Sequence, residues 1–221
     1  MIKLFFFLSI LSILSCSNSN NKDTETFLKQ ASDTSSPVDL ASNYELDIVR
    51  LKQKAKEALD YSKNHSMNTN YCILIDMDIH SGRNRMFLWD FKADKIKIQG
   101  LSSHGCGDKS WGIDETKTTP VFSNVSDSHL SSLGKFKIGK RGWSNWGIHV
   151  NYKLHGLEKS NNNAYKRVIV LHSWEAVSLE ETFPTGTPEG WGCPALNNTV
   201  MKKIDTVLKE EEKPLILWIY K

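Results

Sequence analysis

Tyr71-Cys72-Ile73-Leu74-Ile75-Asp76-Met77-Asp78-Ile79 reads as a β-strand, and it stands where the periodicity of the chain changes. Upstream, Tyr44, Ile48, Leu51, Ala55 and Leu59 recur at helical spacing. Ser42-Asn43-Tyr44-Glu45 has the form of a capping box, with Ser42 as N-cap, so the spacing predicts one amphipathic helix within 42–65. Downstream the period is two. Met86–Phe91, Lys95–Leu101, Phe136–Ile138, Trp146–Leu154 and Arg167–His172 all read as strands separated by Gly, Asn, Asp and Ser. His80–Asn84, with Gly82 inside it, suits a hairpin loop. A second helix is expected from Asn197 to Lys209 and a last apolar strand over Pro214–Tyr220. The expected fold is β-rich, mainly β with flanking helices, and 42–221 is long enough to bury one core, with 66–221 as a single domain.

The N-terminal stretch belongs to none of this. Lys3 precedes an apolar run from Leu4 to Leu14 that is too short to cross a bilayer as a helix, which takes about 20 residues. It has the length of a secretory signal core, predicted to occupy 1–15. The run ends in Ile13-Leu14-Ser15-Cys16, which resembles the lipobox of bacterial lipoproteins. That likeness implies cleavage before Cys16 and acylation of Cys16, hence an exported, membrane-anchored lipoprotein of the periplasm-facing cell envelope. Residues 16–41 are Ser, Asn, Thr, Asp and Lys with scattered apolar residues and no period, which predicts a flexible tether.

Composition excludes other classes. With 28 Lys+Arg against 25 Asp+Glu and no basic run longer than a pair, no nucleic-acid footprint is expected. Four cysteines cannot staple a chain of 221 residues. Cys72 and Cys106 could pair in an oxidising compartment or be small buried residues; neither alternative is favoured.

Chemistry concentrates in Gly190-Trp191-Gly192-Cys193-Pro194-Ala195. A thiolate that attacks a carbonyl needs access, a base, and amide N–H groups aimed at the developing oxyanion. Pro194 has no N–H, so the oxyanion donors expected here are the amides of Gly192 and Cys193. Pro194 also biases Cys193 towards extended backbone. His172 closes an apolar strand and has the right pKa to serve as base. His155 is the rival histidine, further in sequence from Cys193 and better suited to packing or to lining a substrate groove. Trp191 is expected to line the donor pocket, while Trp143-Ser144-Asn145-Trp146 reads as β-core. His104 and Cys106 are close enough to suggest a metal site, but the remaining histidines are scattered and the signal for zinc is weak.

Five co-ordered stretches then carry a resemblance. They are Pro120-Val121-Phe122-Ser123-Asn124, Ser131-Ser132-Leu133-Gly134-Lys135-Phe136, and Leu154-His155-Gly156-Leu157-Glu158 followed by Asn161, Asn163, Ala164 and Arg167. Ile169-Val170-Leu171-His172 and Trp191-Gly192-Cys193-Pro194-Ala195 complete the set. In these the chain resembles the murein L,D-transpeptidase catalytic-domain family. The resemblance implies a β-sandwich or barrel, Cys193 as nucleophile, His172 as its partner, peptidoglycan stem peptides as substrate and no cofactor. Three positions depart from the family pattern. Glu189-Gly190 stands where Arg-Ser is usual, Ser173-Trp174 follows the histidine in place of Gly-Ala, and Trp191 stands where the wider superfamily has a second histidine. The alternatives are an L,D-carboxypeptidase using the same residues, a metal-dependent hydrolase, and an inactive wall-binding lipoprotein.

Overall fold

The computed structural model describes residues 44–221. The predicted signal peptide, the tether, Cys16 and Ser42 lie outside the described residues. The elements run α1 (Ile48–Asn64), β1 (Tyr71–Asp76), β2 (Met86–Asp90), β3 (Lys95–Gly100), β4 (Gly134–Trp143), β5 (Val150–Gly156), β6 (Val170–Ser173), β7 (Ala195–Leu196), α2 (Asn198–Glu210) and β8 (Ile216–Tyr220).

All eight strands form one sheet in the order β3-β2-β1-β8-β4-β5-β6-β7. Only β1–β8 and β6–β7 are parallel pairs. The sheet's ends meet: past β3, Ser103 N–H donates to Ala195 O at 3.0 Å and Gly190 N–H to His104 O at 2.7 Å. The segment carrying β7 is therefore bonded on both sides, and neither it nor the chain leaving β3 is left as an open edge. Mainly β with two helices, as expected, the domain has a nearly closed sheet.

Why β1 reads as an apolar run is now plain. Its two faces serve two cores. Ile73 and Ile75 join Met86, Leu88, Leu217 and Ile219 against Val200, Met201 and Ile204 of α2. Cys72 and Leu74 join Phe87, Trp89, Ile216 and Trp218 against Leu51, Ala55 and Ala58 of α1. A strand covered on both faces has no solvent face to alternate with. β3, Lys-Ile-Lys-Ile-Gln-Gly, has one, and its burial alternates.

Several expected boundaries move. The N-cap of α1 is Asp47, whose Oδ1 accepts from Arg50 N–H at 2.9 Å, and Glu45 precedes the helix. β1 stops at Asp76, because Asp76 Oδ1 turns to accept from Asp78 N–H and Arg50. The loop at 80–84 is a turn, closed by Arg83 N–H to His80 O. β5 begins at Val150, after Gly147 and His149 adopt left-handed φ of 59° and 60°. Trp143 and Trp146 are 70% and 43% exposed, so this tryptophan segment is not β-core as expected. Likewise β6 starts at Val170, because Val168 has φ 57° and is exposed. The cysteines Cys72, Cys106 and Cys193 are all free, with Cys72 sealed beneath α1.

Candidate active site

The site is built by the shortest strand of the sheet. β7 lies parallel to β6 with His172 opposite Ala195, and His172 N–H donates to Pro194 O at 3.4 Å. Side chains two residues apart share a face of a strand. Val170 and His172 on β6 therefore point the same way, as do Cys193 and Ala195 beside them. All four line one cavity of about 340 Å³.

Cys193 is half-buried. Its Sγ accepts Val170 N–H at 3.4 Å and lies 3.8 Å from Val168 O. Burial pushes the thiol pKa up, while Val170 N–H and the Arg167 guanidinium pull the other way. His172 Nδ1 is 2.9 Å from Ser173 O. A carbonyl only accepts, so Nδ1 carries the proton and Nε2 is the basic nitrogen. Burial lowers the imidazole pKa, against the pull of Ser173 O and Glu175. The resting pair is thiol and neutral imidazole.

The turn before the thiol is braced from behind. Gly192 has φ 93°, and a Cβ on it would meet Leu130 O at 2.5 Å, so only glycine fits. Ser131 Oγ donates to Gly192 O and accepts from Gly105 N–H, both at 3.1 Å. Ser103 Oγ donates to Cys193 O at 3.2 Å and accepts from Ala195 N–H at 2.9 Å. Among the described residues no acceptor takes the N–H of Gly192 or Cys193. At Gly190 a Cβ would meet nothing within 4 Å, so the serine usual in the resembling family would fit there.

Arg167 is the cation whose charge acts on the Cys193 thiol. It donates to Ser123 O at 2.9 Å, Ser132 Oγ at 2.7 Å, Ser128 Oγ at 3.3 Å and Leu130 O at 2.5 Å. It thereby clamps the 123–132 loop against Gly192. Sequence reading placed Arg167 among the resembling residues but gave it no part. Ser103 and His129, which stacks on Trp191 at 5.2 Å, had no signal beyond a lone Ser and a lone His in polar loops.

Behind Gly190 lies a buried polar chain. Arg85, fully buried, donates from Nη2 to His104 Nδ1 at 2.8 Å, which leaves the His104 proton on Nε2, 2.7 Å from Thr116 Oγ1. Thr116 Oγ1 and N–H both donate to Glu189 Oε1, at 2.9 and 2.5 Å. Both ring nitrogens of His104 are thus taken, and the Cys106 thiol turns to Gly107 O. Among the described residues no group of three His, Cys, Asp or Glu is placed to hold a metal ion.

Burial lowers the pKa of His104, as it does that of His172. Burial would raise Glu189, but bonds from His104 and Thr116 hold it below its ordinary value. The signs agree. Below the ordinary histidine value of 6.5 the unfolded chain binds protons that the folded chain resists, so stability present above 6.5 is lost on acidification. Glu189 adds to the loss as pH falls through its depressed pKa. Thermal unfolding should therefore show a midpoint that falls steadily from neutral pH towards about pH 5; a flat profile would contradict the buried neutral histidines.

His155 is elsewhere. It stacks on Tyr165 at 4.9 Å and lines a separate groove with Lys137, Lys140 and Lys213, apart from the cavity of Cys193. Trp191, 62% exposed, does line that cavity.

The family described as L,D-transpeptidase catalytic domain matches residues 42–220. Among solved structures the chain is similar to the Ldtfm–avibactam carbamoyl enzyme, at 11% identity over 69% of this chain and 49% of that one, with a TM-score of 0.39. It is similar to the helical cell shape determining protein Pgp2 from Campylobacter jejuni, at 11% identity over 74% and 55%, with a TM-score of 0.39. A third is the L,D-transpeptidase (residues 123–326) from Xylanimonas cellulosilytica, at 10% identity over 73% and 68%, with a TM-score of 0.36. The chain spans about half the length of the first of these. No curated protein matches.

Proposed function

The chain belongs to the L,D-transpeptidase catalytic-domain family, and from that premise we propose that it is a cysteine-dependent acyltransferase acting on peptidoglycan stem peptides. One observation carries the reading: β6 and β7 set His172 and Cys193 on one wall of a single cavity, beside two amides with no acceptor. To react, Sγ leaves Val168 O and gives its proton to His172 Nε2. The thiolate then attacks the carbonyl at the L-centre of the diamino acid in the stem. The oxyanion falls to the N–H groups of Gly192 and Cys193, fixed donors that need no reorganisation as charge develops. Collapse breaks the peptide bond, and imidazolium hands its proton to the departing amine of the terminal D-residue, leaving a thioester. A side-chain amine of a second stem attacks next. It loses a proton to His172 and forms the crosslink as the C–S bond breaks.

The test is mass analysis of tetrapeptide muropeptides incubated with the purified protein. Dimers carrying one terminal D-residue fewer than their two parents support the reading. Tripeptides without dimers mark the carboxypeptidase, in which water takes the amine's place. No change in either, with wall binding retained, would make this a binding protein. Loss of turnover on chelation and recovery with zinc would promote the metal hydrolase, against the engaged ring nitrogens of His104.

Anchoring at the cell envelope through acylated Cys16 belongs to the same proposal and rests on the lipobox-like Leu14-Ser15-Cys16. Cys16→Ser should leave the precursor uncleaved or move the protein out of the membrane fraction. Wild-type protein recovered wholly in the soluble fraction, with an unmodified N-terminus, would remove the anchor from the proposal.

A further inference from the structure

The cavity beside Cys193 is walled by indoles. Trp174 is buried at its floor, with Trp111 stacked on it at 5.1 Å and Trp146 edge-on at 6.1 Å. Trp191 closes the side next to the thiol, 6.4 Å from Trp111. Four separate chain segments supply these rings, and three of the rings keep 43–62% of their surface exposed. No Lys, Arg, Asp or Glu lines the cavity; its one titratable base is His172. At the rim, next in sequence to Trp174, the exposed Glu175 accepts Gly147 N–H beside Trp146 at 3.2 Å.

The surroundings of Cys193 are therefore asymmetric in charge. Outside the cavity, Arg167 acts on the thiol and is bonded to Leu130 O, the atom against which Gly192 is pressed. Inside it stand indole faces, electron-rich and attractive to cations, with the Glu175 carboxylate next in sequence to Trp174. The two substrates of a stem-to-stem transfer differ in the same sense. The donor brings carboxylates to the reacting centre, and the acceptor brings a side chain ending in an ammonium.

Resting on the acyltransferase reading above, we propose that the tryptophan-walled cavity is the acceptor subsite, which binds an aminoalkyl side chain and delivers it to the Cys193 thioester. Indole faces and Glu175 hold the ammonium on entry. His172 Nε2, the basic ring nitrogen beside the thioester, takes its proton. That proton is released to solvent; the free amine then attacks, and its second proton passes through His172 to the departing thiolate as the C–N bond forms and the C–S bond breaks. Apolar walls also thin out the water that would otherwise hydrolyse the thioester.

Two half-reactions separate this proposal from the one it rests on. Intact mass of the full protein with a tetrapeptide donor reads the thioester on Cys193. The free diamino acid, and its analogue with a hydroxyl in place of the side-chain amine, then serve as acceptor probes. In Trp146→Ala the KM for the amine should rise about tenfold, the hydroxyl analogue should bind wild type and variant equally weakly, and hydrolysis should take a larger share. Glu175→Gln, at an exposed position that leaves the indole walls in place, should shift the same KM in the same direction. An unchanged amine KM in both variants overturns the proposal. So does a fall in acylation as large as the fall in transfer, which would assign the cavity to the donor. A wild-type thioester that only water resolves also overturns it while leaving the acyl-enzyme standing. Absence of any thioester in wild type would sink the acyltransferase reading itself.

Discussion

Cys193→Ser should reduce turnover by a factor on the order of ten thousand while leaving the fold in place. The loss is chemical. A serine hydroxyl stays protonated at neutral pH, and burial, by lowering the pKa of His172, works against its ionisation. The Cys193 thiol is itself pushed up by burial, but Val170 N–H and Arg167 favour its ionised form. The fold should tolerate the change because serine differs from cysteine by a single atom and is no larger. Sγ touches Val170 N–H and Val168 O, and a hydroxyl makes the same two contacts at shorter range. Unfolding midpoints within a few degrees of wild type, with no muropeptide product, are the expected pair of results. A β-lactam adduct gives an independent reading, since its strained carbonyl is an electrophile for the same thiolate. The adduct should map to Cys193 in wild type and be absent from the variant. Turnover retained by the serine variant, or an adduct on Cys72 or Cys106, would end the cysteine assignment.

Parts of this site were legible before any coordinates because they are local. Gly192 and Pro194 flank Cys193 in sequence, and their backbone consequences follow from residue type alone. The apolar strand ending at His172 is equally local. What brings the two together is not: β7 is two residues long and gives no periodic signal, yet its parallel pairing with β6 sets the register of His172 against Ala195. The expected boundaries failed where a backbone turn overrode composition. Val168 and His149 adopt left-handed φ in stretches whose side chains favour strand. Trp143, the last residue of β4, is exposed at the strand end, and Trp146 sits in the turn that follows, which gives its ring to the cavity. The roles of Arg167 and Glu189 were not legible for another reason. Their partners, at 123–132 and 104–116, are distant in sequence, and one chain's sequence does not say which hydroxyls and carbonyls will meet a charged side chain.

His172→Ala should lower acylation of Cys193 by about 10²–10⁴-fold, and His155→Ala by a small factor or not at all. The difference rests on position. His172 shares a cavity with the thiol, and its Nδ1–H is spent on Ser173 O, which leaves Nε2 as the ring nitrogen that the proposed step uses for the thiol proton. His155 lines another groove, with its ring on Tyr165 and its pKa lowered by burial and by Lys137 and Lys153. The pH profile separates a base from a merely structural residue. A base works only when unprotonated, and burial has moved His172 below the ordinary 6.5. The acid limb of acylation in wild type should therefore lie on the acidic side of 6.5, and it should vanish in His172→Ala, whose residual rate would follow thiolate concentration and climb with alkali. Added imidazole should restore part of the loss, because the deleted ring leaves room beside the cavity. Wild-type-like acylation in His172→Ala, with the loss appearing in His155→Ala instead, would transfer the role of base to the other groove and dissolve the pairing of β6 with β7 as the source of the chemistry.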